Sequence, residues 1–190
     1  MLTVPGAPHH TTTHTTAGSP IGNLTVVTHA EAVAGVYFPH HWTRPDPATF
    51  GEEDGTGAAQ VRAQLAEYFA GRRRVFDLPL AAAGDEFQRR VWALISQVGY
   101  GETTTYGQLA RELGGGATPQ EAGAAVGQNP LSILVPCHRV VGANGKLTGY
   151  AGGLRRKQFL LDLERRWPGG PAGCSKVSPW PSTSRPCRRR

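Results

Sequence analysis

Three helix beginnings fall within residues 85–121, and their spacing leaves that stretch few ways to fold. Asp85 can cap a helix with Gln88 at its third position, after which Phe87, Val91, Leu94 and Ile95 mark one apolar face. Thr105-Tyr106-Gly107-Gln108 forms a second capping box, opening a short helix that Gly114-Gly115-Gly116 ends. Thr118-Pro119-Gln120-Glu121 forms a third, with proline at the first helical position, where its missing N–H costs nothing. Two short helices joined by a glycine-rich turn make a helix-turn-helix candidate. The last of them, running through Ala122-Gly123-Ala124-Ala125-Val126-Gly127, presents almost no side chain. Such a surface admits close backbone approach, from another helix or from the wall of a nucleic-acid groove.

Upstream, the pattern predicts a small α/β unit. Ile21 to Thr28 and Val33 to Phe38 read as strands, and Gln60 to Ala70 reads as an amphipathic helix carrying Val61, Leu65, Tyr68 and Phe69, ended by Gly71. The expected divisions are a flexible leader at 1–18, an N-terminal domain at 19–80, a second domain at 84–167, and a disordered tail at 168–190 rich in Pro, Gly, Ser and Arg. The leader is rich in Thr and His and lacks the basic-then-apolar order of an export signal. The chain has no apolar run of the roughly 18 residues a membrane helix needs.

Charge argues for less than it first suggests. The 190-residue chain carries a net charge of +6, but residues 165–190 contribute +7 with no acid, leaving −1 for the rest. Contact with a polyanion therefore has to come from local groups such as Arg89, Arg90, Arg111, Lys146, Arg155, Arg156 and Lys157. The His9-His10 and His40-His41 pairs lack the further ligands of a metal site, so no metal is expected.

Cys137 is the only cysteine in the first 173 residues, and the other two lie in the tail, which provides no disulfide framework. It follows the apolar run Leu131 to Val135 and precedes His138. A thiol is a strong nucleophile only as thiolate, and an imidazole can take its proton. Neighbouring side chains on extended backbone point opposite ways, so the two groups cooperate only if the chain turns there or a water bridges them. On these residues alone, a buried small hydrophobe and an activated nucleophile are both open. A reducing cytoplasm suits the second.

The string from Asn129-Pro130 through Pro136-Cys137-His138-Arg139-Val140-Val141-Gly142 to Gly145-Lys146-Leu147-Thr148-Gly149-Tyr150-Ala151-Gly152-Gly153-Leu154 resembles the active-site signature of the methylated-DNA-protein-cysteine methyltransferases. The likeness runs from about Ser19 to Glu164. It implies an α+β protein, with a ribonuclease H-like N-terminal domain followed by a winged helix-turn-helix-like catalytic domain. The activity it implies is repair of 6-O-alkylguanine in double-stranded DNA, by single, irreversible transfer of the alkyl group to Cys137 after base flipping. No cofactor is implied, because substrate and acceptor supply every bond made.

Residue by residue, the resemblance makes Cys137 the acceptor, His138 its base through a water, and Glu164 the group that orients the imidazole. Tyr106 donates toward the guanine ring nitrogen with Lys157 nearby. Asn129 ties the recognition helix to the active-site strand, and Tyr150 walls the pocket. The Ala151 N–H contacts the alkylated oxygen, and the Val140 carbonyl reads the exocyclic amine. Gln120, Gly123, Ala124, Gly127 and Arg139 face DNA in the minor groove, and the protein is expected to be a cytoplasmic monomer. One position departs from the pattern: ungapped alignment puts Gln120 where the family carries an arginine that fills the space left by the flipped nucleotide. A DNA-binding regulator or non-turnover damage sensor is the other reading of the helix-turn-helix. A cysteine hydrolase is another reading of Cys137 and His138, though it needs oxyanion donors and turnover.

Overall fold

A computed structural model describes residues 12–55 and 58–166 of the chain. Its first half is a four-stranded sheet in the order β3-β2-β1-β4, built from Thr12–Ala17 (β1), Leu24–His29 (β2), Ala32–Tyr37 (β3) and Glu52–Glu53 (β4). β1 and β2 pair antiparallel from Thr12↔His29 to Ala17↔Leu24, β2 and β3 pair antiparallel with an irregularity at Val27/Thr28, and β4 lies parallel to β1. The expected leader is thus corrected. Residues 12–17 are an internal strand, with Thr15 and Ala17 buried, whereas residues 1–11 lie outside the described part. Helix α1, Ala59–Phe69, buries Val61, Leu65 and Tyr68, and its Arg62 donates to Thr15 Oγ1 at 3.2 Å. Gly71, at φ 71°, ends the helix as the sequence suggests.

The outer edge of β3 does not face water. Val33 pairs with Leu80, and the Val36 N–H donates to the Pro130 carbonyl at 2.8 Å. The sheet edge is covered by the segment that leads into Cys137, so the first half of the chain braces the second.

The second half holds α2 (Glu86–Ile95), β5 (Thr104–Thr105), α3 (Tyr106–Leu113), α4 (Pro119–Gly127), β6 (Val140–Val141) and α5 (Leu154–Arg165). Asp85 and Thr118 complete the capping boxes expected of them. Thr105 completes only half of one: its hydroxyl caps Gln108, whose side chain turns instead to Glu112 Oε1 at 3.2 Å. Gly114, Gly115 and Gly116 all take positive φ, the backbone that turns α3 into α4. α4 uses its two faces differently. Ala122, Ala125 and Val126 are buried, with Trp92 Nε1 of α2 donating to the Ala125 carbonyl at 2.8 Å, while Gly123, Ala124 and Gly127 face outward. Among the described residues no helix is long and apolar enough to cross a membrane. The expected tail, 168–190, lies outside the described residues.

Candidate active site

Cys137 opens a 3₁₀ turn, Cys137–Arg139, rather than lying on a strand, and the preceding Ile133 sits at φ 74°. Asn129, directly after α4, fixes the approach: its Oδ1 accepts from the Leu131 N–H at 3.0 Å and its Nδ2 donates to the Val135 carbonyl at 2.9 Å. Asn129 thereby ties the end of the helix to the cysteine segment, which is a pair of tight turns and not a strand.

The thiol is buried, and burial pushes its pKa up. A hydrogen bond from the Asn129 side chain, the charge of Lys157, and the backbone N–H groups of Cys137 and His138 pull the other way. At rest Cys137 is a protonated thiol with thiolate-stabilising groups already in place. His138 is fully buried, and burial holds its pKa down despite the opposing pull of Glu164. Its Nε2 lies 2.9 Å from Glu164 Oε1. An ionised carboxylate can only accept, so Nε2 carries the proton and Nδ1 keeps a free lone pair, buried and without a partner.

Glu164 has to stay ionised for this to hold, and its surroundings ensure that. Burial alone raises its pKa, but the hydrogen bonds and charges of His138 and Arg139 hold it far below the usual carboxylate range. Five hydrogen bonds converge on it: Tyr68 Oη at 2.7 Å, His138 at 2.9 Å, Arg139 Nε and Nη2 each at 2.9 Å, and the Gly101 N–H at 3.1 Å. These offset the unfavourable place of an anion in the last turn of α5.

Arg139 thus departs from its expected DNA-facing role. Its guanidinium is buried, grips Glu164 with two donors and gives a third to the Val98 carbonyl at 2.6 Å. Lys157 is also buried. Its Nζ donates to the carbonyls of Thr148 and Gly149 at 2.9 and 3.2 Å, and it lies 5.9 Å from the centre of the Tyr106 ring. Burial lowers its pKa to about 8, against the pull of Cys137. It holds the loop that carries Tyr150 and places a titratable charge near the sulfur. Arg90 and Arg156 are likewise spent on carbonyls, of Leu113 and of Ile21 and Gly152, whereas Arg111, Lys146 and Arg155 remain exposed.

A cavity of about 70 Å³ lies beside Cys137, walled by Tyr106, Val126, Asn129, Tyr150, Ala151 and Trp42. Tyr106 stays a phenol: burial raises its pKa, although a hydrogen bond with Thr148 opposes the rise. Gly123 approaches its ring so closely that an added Cβ would sit 3.4 Å from it. Tyr150 is backed by Phe38 at 5.7 Å between ring centres. Val140, in β6, is fully buried and pairs with Thr104. Gln120 is exposed at the second position of α4, on the helix that also turns Gly123, Ala124 and Gly127 outward. Sequence patterns missed Tyr68, Gly101 and Trp42. Tyr68 read as part of an apolar helix face, and a backbone N–H leaves no trace in residue type.

Among the described residues, fold and site bring one buried cysteine together with a histidine and a glutamate beside a pair of helices joined by a glycine-rich turn. Residues 13–82 match the family model for the ribonuclease-like domain of 6-O-methylguanine DNA methyltransferase, and residues 86–166 match that for its DNA binding domain. A methylated-DNA–protein-cysteine methyltransferase of Mycolicibacterium paratuberculosis is 47% identical over 159 residues, covering 80% of this chain and 91% of that protein. One from Mycobacterium bovis is 44% identical over 158 residues, covering 79% and 90%. The crystal structure of Mycobacterium tuberculosis OGT in complex with DNA superposes with a TM-score of 0.75 at 39% identity, over 81% of this chain and 93% of that one. The chain belongs to the methylated-DNA–protein-cysteine methyltransferase family.

Proposed function

We propose that this protein repairs DNA directly, moving the alkyl group of a 6-O-alkylguanine onto Sγ of Cys137, once per molecule. The observation that carries the reading is the buried thiol next to a neutral His138 whose proton is fixed on Nε2 by Glu164, at the floor of a cavity beside the outward face of α4. Nδ1 is the only ring position left to accept the thiol proton, through a bridging water, because no direct bond joins the two side chains. The transfer makes an imidazolium that Glu164 stabilises, and a thiolate held by Asn129, two backbone N–H groups and the charge of Lys157.

The thiolate attacks the alkyl carbon as the carbon–oxygen bond breaks. Guanine leaves as an anion, toward whose ring nitrogen Tyr106 donates, and in sum the thiol hydrogen ends on the purine. Tyr150 walls the base, the Ala151 N–H meets the alkylated oxygen, and the Val140 carbonyl takes the exocyclic amine. The product is a thioether that water does not cleave under physiological conditions, so activity ends. A base inside a duplex cannot reach a buried thiol, so the nucleotide must flip out.

The outward face of Gly123, Ala124 and Gly127 suits a minor groove, where base edges say little about sequence, as an enzyme that inspects all sequences requires. A monomer acting where thiols stay reduced, in a cytoplasm, fits a single exhaustible cysteine. Incubation with duplex DNA containing 6-O-methylguanine is expected to add one methyl group to the intact mass, located on the peptide carrying Cys137, with no reaction in Cys137→Ser. Turnover beyond one equivalent, or label on Cys174 or Cys187, overturns the reading.

A further inference from the structure

The cavity beside Cys137 is too small for its proposed guest. Its roughly 70 Å³ is about half of the ~150 Å³ of a cavity that takes up a benzene ring, and a purine is larger than benzene, so a wall has to give way. Most walls cannot. Val126 and Asn129 are buried, and Tyr150 is packed against Phe38. The exception comes from the other half of the molecule. Trp42 lies on the turn after β3, where its N–H donates to the Ala151 carbonyl at 3.4 Å and the next residue, Thr43, donates from its hydroxyl to the Gly127 carbonyl at 3.5 Å. The backbone of this turn is thus tied to both sides of the cavity mouth. The indole is left 69% exposed, the most exposed large apolar side chain among the described residues. It touches the end of α4, where a Cβ on Gly127 would lie 3.4 Å from its ring, and it separates the inner cavity from a larger outer groove along Gly123, Ala124 and Gly127.

We propose that Trp42 is the mobile outer wall of the alkylguanine pocket, swinging aside to admit the flipped base and then stacking on it. The inference rests on the alkyl-transfer reading above. An indole that loses little packing by moving is the wall whose displacement costs least, and stacking on the entered purine covers two apolar faces at once. On this view the N-terminal half contributes directly to substrate binding.

The test uses the full chain and free 6-O-benzylguanine, which needs no flipping, with benzylation of Cys137 followed by mass spectrometry. Trp42→Ala is expected to slow this reaction roughly tenfold or more, the usual scale for one base–aromatic stack, and Trp42→Phe to restore most of it. Affinity for undamaged duplex should stay within about twofold, as for an ordinary surface change, and so should the Tm within a few degrees. A variant that reacts with the free base as fast as wild type overturns the inference alone. So does loss of affinity for undamaged duplex with an unchanged free-base rate, which makes Trp42 a DNA contact. A wild type that takes no benzyl group overturns the alkyl-transfer reading, and the inference with it.

Discussion

His41 shows how much a single buried ring can set. It is 5% exposed, lies edge-on to Tyr37 with 5.4 Å between ring centres, and neither ring nitrogen has a partner. Burial, with the charge of Arg44 added, lowers its pKa to about 4. The unfolded chain therefore takes up a proton first as pH falls. Stability is nearly full above pH 6.5 and is lost progressively down to pH 4, by about 2.5 kcal/mol at pH 4.5. His41→Leu should remove that part of the acid sensitivity, which urea titrations at pH 7 and pH 4.5 will measure; an unchanged difference between the two pH values refutes it. Glu164 lies at the opposite extreme, with every lone pair claimed. Glu164→Gln leaves the buried Arg139 guanidinium without its counter-charge, and truncating one side of such a pair costs about 3–5 kcal/mol. Thermal melting should fall by roughly 10 °C for a chain of this size, and alkyl transfer should slow with it because the imidazolium loses its anion. Arg139 itself was not legible: a charge in a sequence carries no mark of its partner, and one beside an active cysteine reads as a contact for DNA.

Among the elements, α4 was the most legible and still holds the open question. Its cap, its proline and its small residues are all local features, and the structure honours each of them. β1 was illegible for the opposite reason. Thr-Thr-His-Thr-Thr-Ala has no apolar alternation, and its place inside the sheet is dictated by β2 and β4 on either side. Removing residues 1–17 should accordingly take away one of the sheet's two internal strands, leaving little soluble protein, where removal of a mere leader would change nothing. The resemblance expects an arginine where this chain has Gln120, which is exposed on α4. An arginine there would add stacking and charged hydrogen bonds in the space vacated by a flipped nucleotide. Gln120→Arg is expected to speed transfer from duplex DNA by roughly tenfold, each factor of ten being about 1.4 kcal/mol, while the free-base rate stays within about twofold. Single-turnover rates on the two substrates decide it, and equal changes in both would mean that Gln120 does not fill the gap.

At the scale of the whole molecule, the N-terminal half is part of the active site. It covers the segment before Cys137 through Val36, supplies Trp42 to the cavity mouth, and sends the Tyr68 hydroxyl to Glu164 at 2.7 Å. None of this is periodic, and Tyr68 and Glu164 lie 96 residues apart, so no reading of local pattern could have joined them. Tyr68 is the sharpest probe of the connection. Burial, with Glu164 beside it, raises its pKa well above the ordinary range, so it acts purely as a donor. Tyr68→Phe keeps the ring in the core and deletes one hydrogen bond to a carboxylate, which should cost about 1.5–3 kcal/mol and lower the Tm by roughly 5 °C. The same deletion leaves more negative charge on Oε1, the oxygen that faces His138. The imidazolium is then better stabilised, and the His138 pKa rises toward its ordinary value. A base with a raised pKa is protonated, and idle, up to a higher pH. The acid limb of the transfer rate with free 6-O-benzylguanine should therefore move upward, by a few tenths to about one pH unit. A Tm that falls while the limb stays in place would show that Tyr68 only holds the two halves together; a limb that moves shows that the N-terminal half also tunes the base.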